Sequence, residues 1–323
     1  MTETTTVDRT RLGINDRYPF PAYPNGWFRV AYSKDLAKGD VKALKYFGTD
    51  LVVFRDEEGT AHVTDAFCGH LGAHLGHGGK VEGCAIRCPF HAWKWDGKTG
   101  SLLDVPYAKR LPRADIKAWP TVELNGIVMV WHHAEDKAPT FEIPLVPETE
   151  KDAGYTEPSE HYWKIRSRWL DMNENAVDNV HFKYIHGTPV IPESFPEVRD
   201  HILEVKNITK MTTPRGPIEA VLVTIDHGPG FQIVRIDGAI KTVMINTATP
   251  IDEHYSDVSF TYAVEDKGGN VGAARIKDLL SQFENDLPVW ENKAYFKKPR
   301  LCDGDGKFGL YRKWMKQFFS CEW

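Results

Sequence analysis

From about Trp27 to His133, short apolar runs alternate with Gly- and Asp-rich turns. Leu51-Val52-Val53-Phe54 and Ile127-Val128-Met129-Val130-Trp131 are dense in β-branched residues and predict strands. Glu57-Glu58-Gly59 and Asp96-Gly97-Lys98-Thr99-Gly100 read as the hairpin turns between such strands. Residues 25–135 are therefore expected to form a small all-β domain. The Pro-rich stretch from Ala138 to Pro147 has no period and marks a crossing between domains. Beyond it the pattern changes. Leu170 to Tyr184 predicts a helix, and residues 220–225, 242–246 and 258–264 predict strands. Val271 to Tyr295 predicts a long helix, with Ile276, Leu279, Leu280, Phe283, Leu287 and Trp290 near helical spacing. Helices on an antiparallel sheet make an α+β domain, to which residues 1–24 and 136–323 are assigned.

Composition narrows the function classes. A chain of 323 residues can bury the cores of two domains. A net charge of -5, with no basic stretch interleaved with aromatics, argues against nucleic acid as a partner. No apolar run approaches the roughly 20 residues of a membrane-crossing helix. Met1-Thr2-Glu3-Thr4-Thr5 lacks the basic-then-apolar layout of a secretory signal, so a cytoplasmic location is expected. No strand–turn–helix context holds a Gly-rich dinucleotide fingerprint, which places any nicotinamide cofactor on another protein.

The chemistry begins at Cys68-Gly69-His70 and Cys88-Pro89-Phe90-His91. Each segment supplies one thiolate and one imidazole. Two such segments on adjacent loops can clasp a [2Fe–2S] cluster of the Rieske kind, with Cys68 and Cys88 on one iron and His70 and His91 on the other. A structural zinc site groups its ligands differently, as Cys-x-x-Cys followed by paired His. Gly69, Gly72, Gly76, Gly78 and Gly79 are expected to let backbone approach the sulfurs, and Pro89 to stiffen the second turn. Of the five Cys, these two leave Cys84, Cys302 and Cys321, an odd remainder that suits a reducing compartment.

An electron-delivering cluster needs a consumer. In the predicted helix, Glu174, Asp178 and His181 stand at i, i+4 and i+7 and so share a face. His186 follows where Gly187 and Pro189 end the helix, which lets its ring turn back toward His181. Two imidazoles completed by one carboxylate form the facial triad of non-haem Fe(II) oxygenases, which leaves positions open for O2. Two His five apart on a polar helix are, by themselves, more often solvated side chains.

Taken together, these motifs resemble the terminal oxygenase component of Rieske non-haem iron oxygenases, over residues from about 20 to the C-terminus. The finer likeness is to the steroid-acting members, the 3-ketosteroid 9α-hydroxylase oxygenases and the Neverland-type cholesterol 7-desaturases. It is carried by Tyr23–Phe28, Ile86–Trp95, Val105–Ala108, Trp290–Pro299 and Tyr311–Trp314. The resemblance implies a helix-grip, START-like catalytic domain and a third iron ligand from the C-terminal helix. Asp286 fits the Asp-x-x-(Ile/Val)-Trp-x-x-Lys pattern with Trp290 and Lys293, with Glu284 and Glu291 as alternatives. Pro288 departs from the pattern and is expected to kink the helix. Ala73 and Phe90 stand where Rieske proteins of respiratory complexes carry a clamping disulfide. The resemblance also implies that Asp178 bridges His91 of one chain to His181 of the next in a homotrimer.

The same resemblance implies an NADH-dependent flavin/iron–sulfur reductase or a ferredoxin as electron donor, O2 as co-substrate, and hydroxylation or desaturation of an apolar ring substrate, a steroid or sterol. A small aromatic compound is the alternative substrate, and a plain Rieske electron carrier the alternative function. Val221, Val223, Phe231, Ile233, Val243 and Ile245 are candidate walls of an apolar substrate tunnel, though apolar strand residues more often serve as core.

Overall fold

Strand Ile127–His132 is buried at every position, because its β-branched and aromatic side chains are covered on both faces. The computed structural model in which this is seen describes residues 17–213 and 216–323; the assignment of residues 1–16 to the catalytic half lies outside the described residues.

The N-terminal half contains three antiparallel sheets. The first joins β1 (Gly26–Tyr32), β10 (Thr121–Leu124) and β11 (Ile127–His132) in the order β1-β11-β10. The second joins β2 (Val41–Tyr46), β3 (Thr49–Arg55), β4 (Ala61–Asp65) and β9 (Ala118–Trp119). The third joins β5 (Lys80–Glu82), β6 (Ala85–Arg87), β7 (Lys94–Asp96) and β8 (Leu102–Asp104). Both expected hairpin turns are closed by an Asp side chain. Asp56 Oδ1 accepts from the backbone of Gly59 and Thr60, and Asp96 Oδ1 from Lys98 and Thr99.

The C-terminal half is one seven-stranded antiparallel sheet with a long helix on it. The strands are β12 (Ser159–Ile165), β13 (Glu193–Arg199), β14 (Ile202–Thr213), β15 (Gly216–His227), β16 (Phe231–Asp237), β17 (Thr242–Pro250) and β18 (Ser256–Val264), in the order β12-β18-β17-β16-β15-β14-β13. The architecture is α+β and mostly sheet. The connection from Ala138 to Val146 has no regular structure, and Ile143 and Val146 are buried in the core beside it.

The predicted helix over Leu170–Tyr184 is broken into α1 (Trp169–Met172), a 3₁₀ turn (Asn173–Ala176) and α2 (His181–Tyr184). Asp178 interrupts it, since a short polar side chain competes for backbone partners. Asp178 Oδ1 accepts from the backbone of Val180 and His181. The common face of Glu174, Asp178 and His181 therefore does not exist. The long helix, α3 (Val271–Asn292), passes through Pro288 without a break and ends three residues before the expected Tyr295. A shorter helix, α4 (Phe308–Lys316), closes the chain.

The large sheet is covered on both faces. On one, Leu279, Phe283 and Trp290 of α3 pack with Val234, Ile236, Met244 and Phe260. On the other, Phe231, Ile233, Val243 and Ile245 pack with Trp27, Met129 and Trp131 of the three-stranded sheet. Side chains alternate across a strand, so odd-numbered positions of β16 and β17 bind the two halves together and even-numbered ones face the helix.

Candidate metal centres and the cavity beside them

The two Cys–His segments form loops of one design. Cys68 N–H donates to the Ala73 carbonyl at 2.9 Å and Gly72 N–H returns to Cys68 at 3.0 Å. Cys88 N–H donates to Trp93 at 2.8 Å and Ala92 N–H returns to Cys88 at 3.2 Å. The turn needs a left-handed residue at the same place in each loop, supplied by Gly72 at φ 72° and by Ala92 at φ 60°. Sequence reading missed Ala92, because alanine carries no signal for positive φ.

Cys68 and Cys88 are buried. Burial pushes the Cys68 thiol up, and the neighbouring Cys88 adds to this, while Trp95 Nε1–H donates to its sulfur at 3.3 Å. His70 and His91 lie with ring centroids 4.7 Å apart, and His70 stacks on Trp93 at 4.3 Å. Among the described residues, Nδ1 of each His is buried with no hydrogen-bond partner. Two partnerless imidazole nitrogens beside two buried thiols are the donor set that a [2Fe–2S] cluster would satisfy. The glycines act differently from expectation. A Cβ on Gly69 would crowd Trp95 and one on Gly76 would crowd Ala43, while on Gly79 it would meet the Leu75 carbonyl at 2.2 Å. They allow close packing of the loops' own scaffold, not of the sulfurs.

His181, His186 and Asp286 each offer a ligand atom within 4.8 Å of the others. The break after α1 brings this about, because α2 is free to turn both rings toward α3. His186 Nε2 lies 3.3 Å from Asp286 Oδ2. Asp286 is 4% exposed despite its charge, and the described residues give it no Lys or Arg partner. An uncompensated carboxylate beside two imidazoles fits a divalent cation. His181 Nδ1–H donates to the Asp178 carbonyl at 2.5 Å, which fixes the tautomer and leaves Nε2 as the free donor. Asn175 Nδ2 donates to Asp286 Oδ1 at 3.3 Å, a contact that no spacing or motif foretells.

Asp178 keeps its side-chain partners within its own turn, and the carboxylate remains partly open to solvent. Burial raises its pKa, but hydrogen bonds from His181 and the backbone outweigh this and hold it below the usual carboxylate range. Glu174 has no part in the triad. It is buried against Arg312 Nε at 2.5 Å and Lys293 Nζ at 3.8 Å. Glu284 is exposed, and Glu291 accepts from the Arg166 backbone.

The triad opens into a cavity of about 800 Å³, counting its mouth. Leu222, Val234, Ile236, Met244, Phe260 and Phe283 supply apolar wall, and Asn173, Gln232 and Asn246 add amides. None of the six candidate wall residues lines it. The apolar alternation was legible, but the choice of face depended on the N-terminal half packing behind the sheet. Cys84, Cys302 and Cys321 are free and exposed. Among the described residues no helix is long and apolar enough to cross a membrane.

Comparison with known proteins agrees over most of the chain. The Rieske [2Fe-2S] domain matches residues 26–120, and the 3-ketosteroid 9alpha-hydroxylase C-terminal domain matches residues 130–319. A cholesterol 7-desaturase from Xenopus laevis is 32% identical, over 93% of this chain and 72% of its own. The oxygenase component of a 3-ketosteroid-9-alpha-monooxygenase from Rhodococcus rhodochrous is 32% identical, over 97% and 89%. Among solved structures, dicamba monooxygenase superposes with a TM-score of 0.72 at 15% identity, covering 91% of this chain and 97% of that one. Shared fold, shared domain order and sequence identity over nearly the whole length lead to one assignment. The chain belongs to the Rieske non-haem iron oxygenases, as a terminal oxygenase component that uses a [2Fe–2S] cluster, a mononuclear iron, O2 and electrons from a reductase or ferredoxin.

Proposed function

We propose that this chain hydroxylates or desaturates a steroid or sterol, with His181, His186 and Asp286 holding the mononuclear iron and Cys68, His70, Cys88 and His91 holding the cluster. The observation that carries the reading is the buried triad at one wall of a largely apolar cavity. The kinship to cholesterol 7-desaturase and 3-ketosteroid-9-alpha-monooxygenase supports an apolar ring substrate.

When bound, the iron supplies activation of O2 and the cluster supplies its electrons. The chain's own residues provide the rest. Asn175 holds the Asp286 carboxylate in place, and the Asp178 carbonyl holds the His181 ring. The apolar wall aligns a ring system by shape and keeps water from the reacting face. Residues 25–135 form the electron-delivery domain; residues 136–323, with residues 17–24, form the catalytic one. Arg17 and Tyr18 support that grouping through contacts to Arg166, Ser167 and Asp171.

Asp178 bridges subunits in a homotrimer, its carboxylate joining His181 to His91 of a neighbouring copy as a hydrogen-bonded route for the electron. Its partial exposure beside His181 leaves an oxygen available for that contact. The donor is an NADH-dependent flavin/iron–sulfur reductase or a ferredoxin, and the enzyme works in the cytoplasm. The test is turnover of sterols, 3-ketosteroids and aromatic acids with a surrogate reductase, with products read by mass spectrometry. Oxidised steroid is expected. Oxidation of the aromatic acids alone would transfer the reading to a small aromatic substrate.

A further inference from the structure

The cavity wall carries a hydrogen-bond relay whose direction is fixed from behind. Asp226 is fully buried at the end of β15, with no cation beside it. Its Oδ1 accepts from Asn173 Nδ2 at 3.0 Å and from Gln232 Nε2 at 2.9 Å. Gln232 Nε2 also donates to Asn173 Oδ1 at 2.6 Å, which closes a ring of three side chains. In that ring each amide has only one possible orientation, because a carbonyl-type oxygen of Asp226 accepts in either protonation state. Gln232 must then turn Oε1 outward, where it accepts from Asn246 Nδ2 at 2.8 Å. Asn246 is 4% exposed and lines the cavity, and among the described residues its acceptor, Oδ1, is buried with no partner.

From this arrangement we infer that Asn246 is a specificity-determining residue, presenting a lone acceptor that takes a hydroxyl donor of the bound ring substrate and discriminates against the corresponding ketone. The inference rests on the steroid reading above and goes further, since that reading does not separate alcohols from ketones. A hydroxyl satisfies Oδ1. A ketone sets a second acceptor against Oδ1, with no hydrogen between the two oxygens. The relay cannot flip to present Asn246 Nδ2 instead, because flipping would set two carbonyl oxygens against each other at Gln232.

The experiment uses the iron-loaded full chain and a matched pair, androstane-3,17-diol and androstane-3,17-dione, which share a skeleton and carry hydroxyls or ketones at both ends. Trp169 and Trp290 line the cavity, so occupancy is read by tryptophan fluorescence without turnover. The native chain should bind the diol about tenfold more tightly than the dione, as one such hydrogen bond warrants. Asn246→Leu should erase that preference by weakening the diol and leaving the dione within about twofold. A native chain that binds the dione as tightly as the diol overturns the inference, as does a preference that survives in Asn246→Leu. Should the variant not fold, the native pair decides by itself. Failure of both compounds to bind overturns the steroid reading and this inference with it, whereas binding of both without discrimination overturns this inference alone.

Discussion

Arg312 Nε donates to Glu174 Oε1 at 2.5 Å, joining the C-terminal helix α4 to the 3₁₀ turn that leads toward His181 and His186. Glu174 is buried, and burial raises its pKa against the opposing effects of Arg312 and Lys293. Removing one partner of a buried pair strands the other charge. Arg312→Ala is expected to lower unfolding free energy by about 3 kcal/mol, measured by denaturant titration. Iron content of the folded fraction should be unchanged, because Glu174 lies outside the His181–His186–Asp286 cluster.

In the proposed iron centre, Asn175 would act on the metal through Asp286. Asn175→Ala removes the hydrogen bond to Oδ1 and lets the carboxylate rotate. Loss of such an orienting partner typically weakens metal binding about 10- to 100-fold. Competition with a chelator should show faster, more complete loss of the mononuclear iron, while the cluster's visible spectrum stays as in the native chain.

Asp226 makes stability depend on pH. Burial lifts its pKa from 3.8 to about 7, against hydrogen bonds from Asn173 and Gln232 that pull it down. A carboxyl with a raised folded pKa holds its proton more tightly folded than unfolded. Its penalty is therefore absent below pH 4, grows as pH climbs toward 7, and is complete above that. Asp226→Asn removes the titration while keeping the oxygen that accepts. At 1.36 kcal/mol per pKa unit, the stability difference should move in the variant's favour by roughly 3 kcal/mol between pH 5 and pH 8. Urea midpoints of both proteins at the two pH values check this; a constant difference would contradict it.

Ala92 takes the left-handed backbone that Gly72 takes in the partner loop. Ala92→Gly should be tolerated, with a gain of up to about 1 kcal/mol from relief of that strain. Thermal unfolding read at the cluster's absorbance would register it.

Local signals explain what the sequence disclosed. Strand content, the hairpin turns at Asp56 and Asp96, and the two Cys–His segments at Cys68, His70, Cys88 and His91 are encoded within a few residues. So is the periodicity of α3 around Phe283 and Trp290. What stayed hidden was nonlocal. The break of the expected helix after Met172 follows from competition between polar side chains and backbone, which periodicity ignores. The pocket-facing side of β16 and β17 follows from Trp27 and Trp131 covering the reverse side. The Asp226–Gln232–Asn246 relay joins residues on three strands, and no spacing rule links them.

The most direct test of two separate metal centres is iron analysis of the native chain beside His181→Ala, loaded under anaerobic, iron-replete conditions. The account predicts about three irons per native chain and about two in the variant, with the variant's visible spectrum unchanged. Zinc at the Cys–His loops, or a variant that retains all the iron of the native chain, would contradict it.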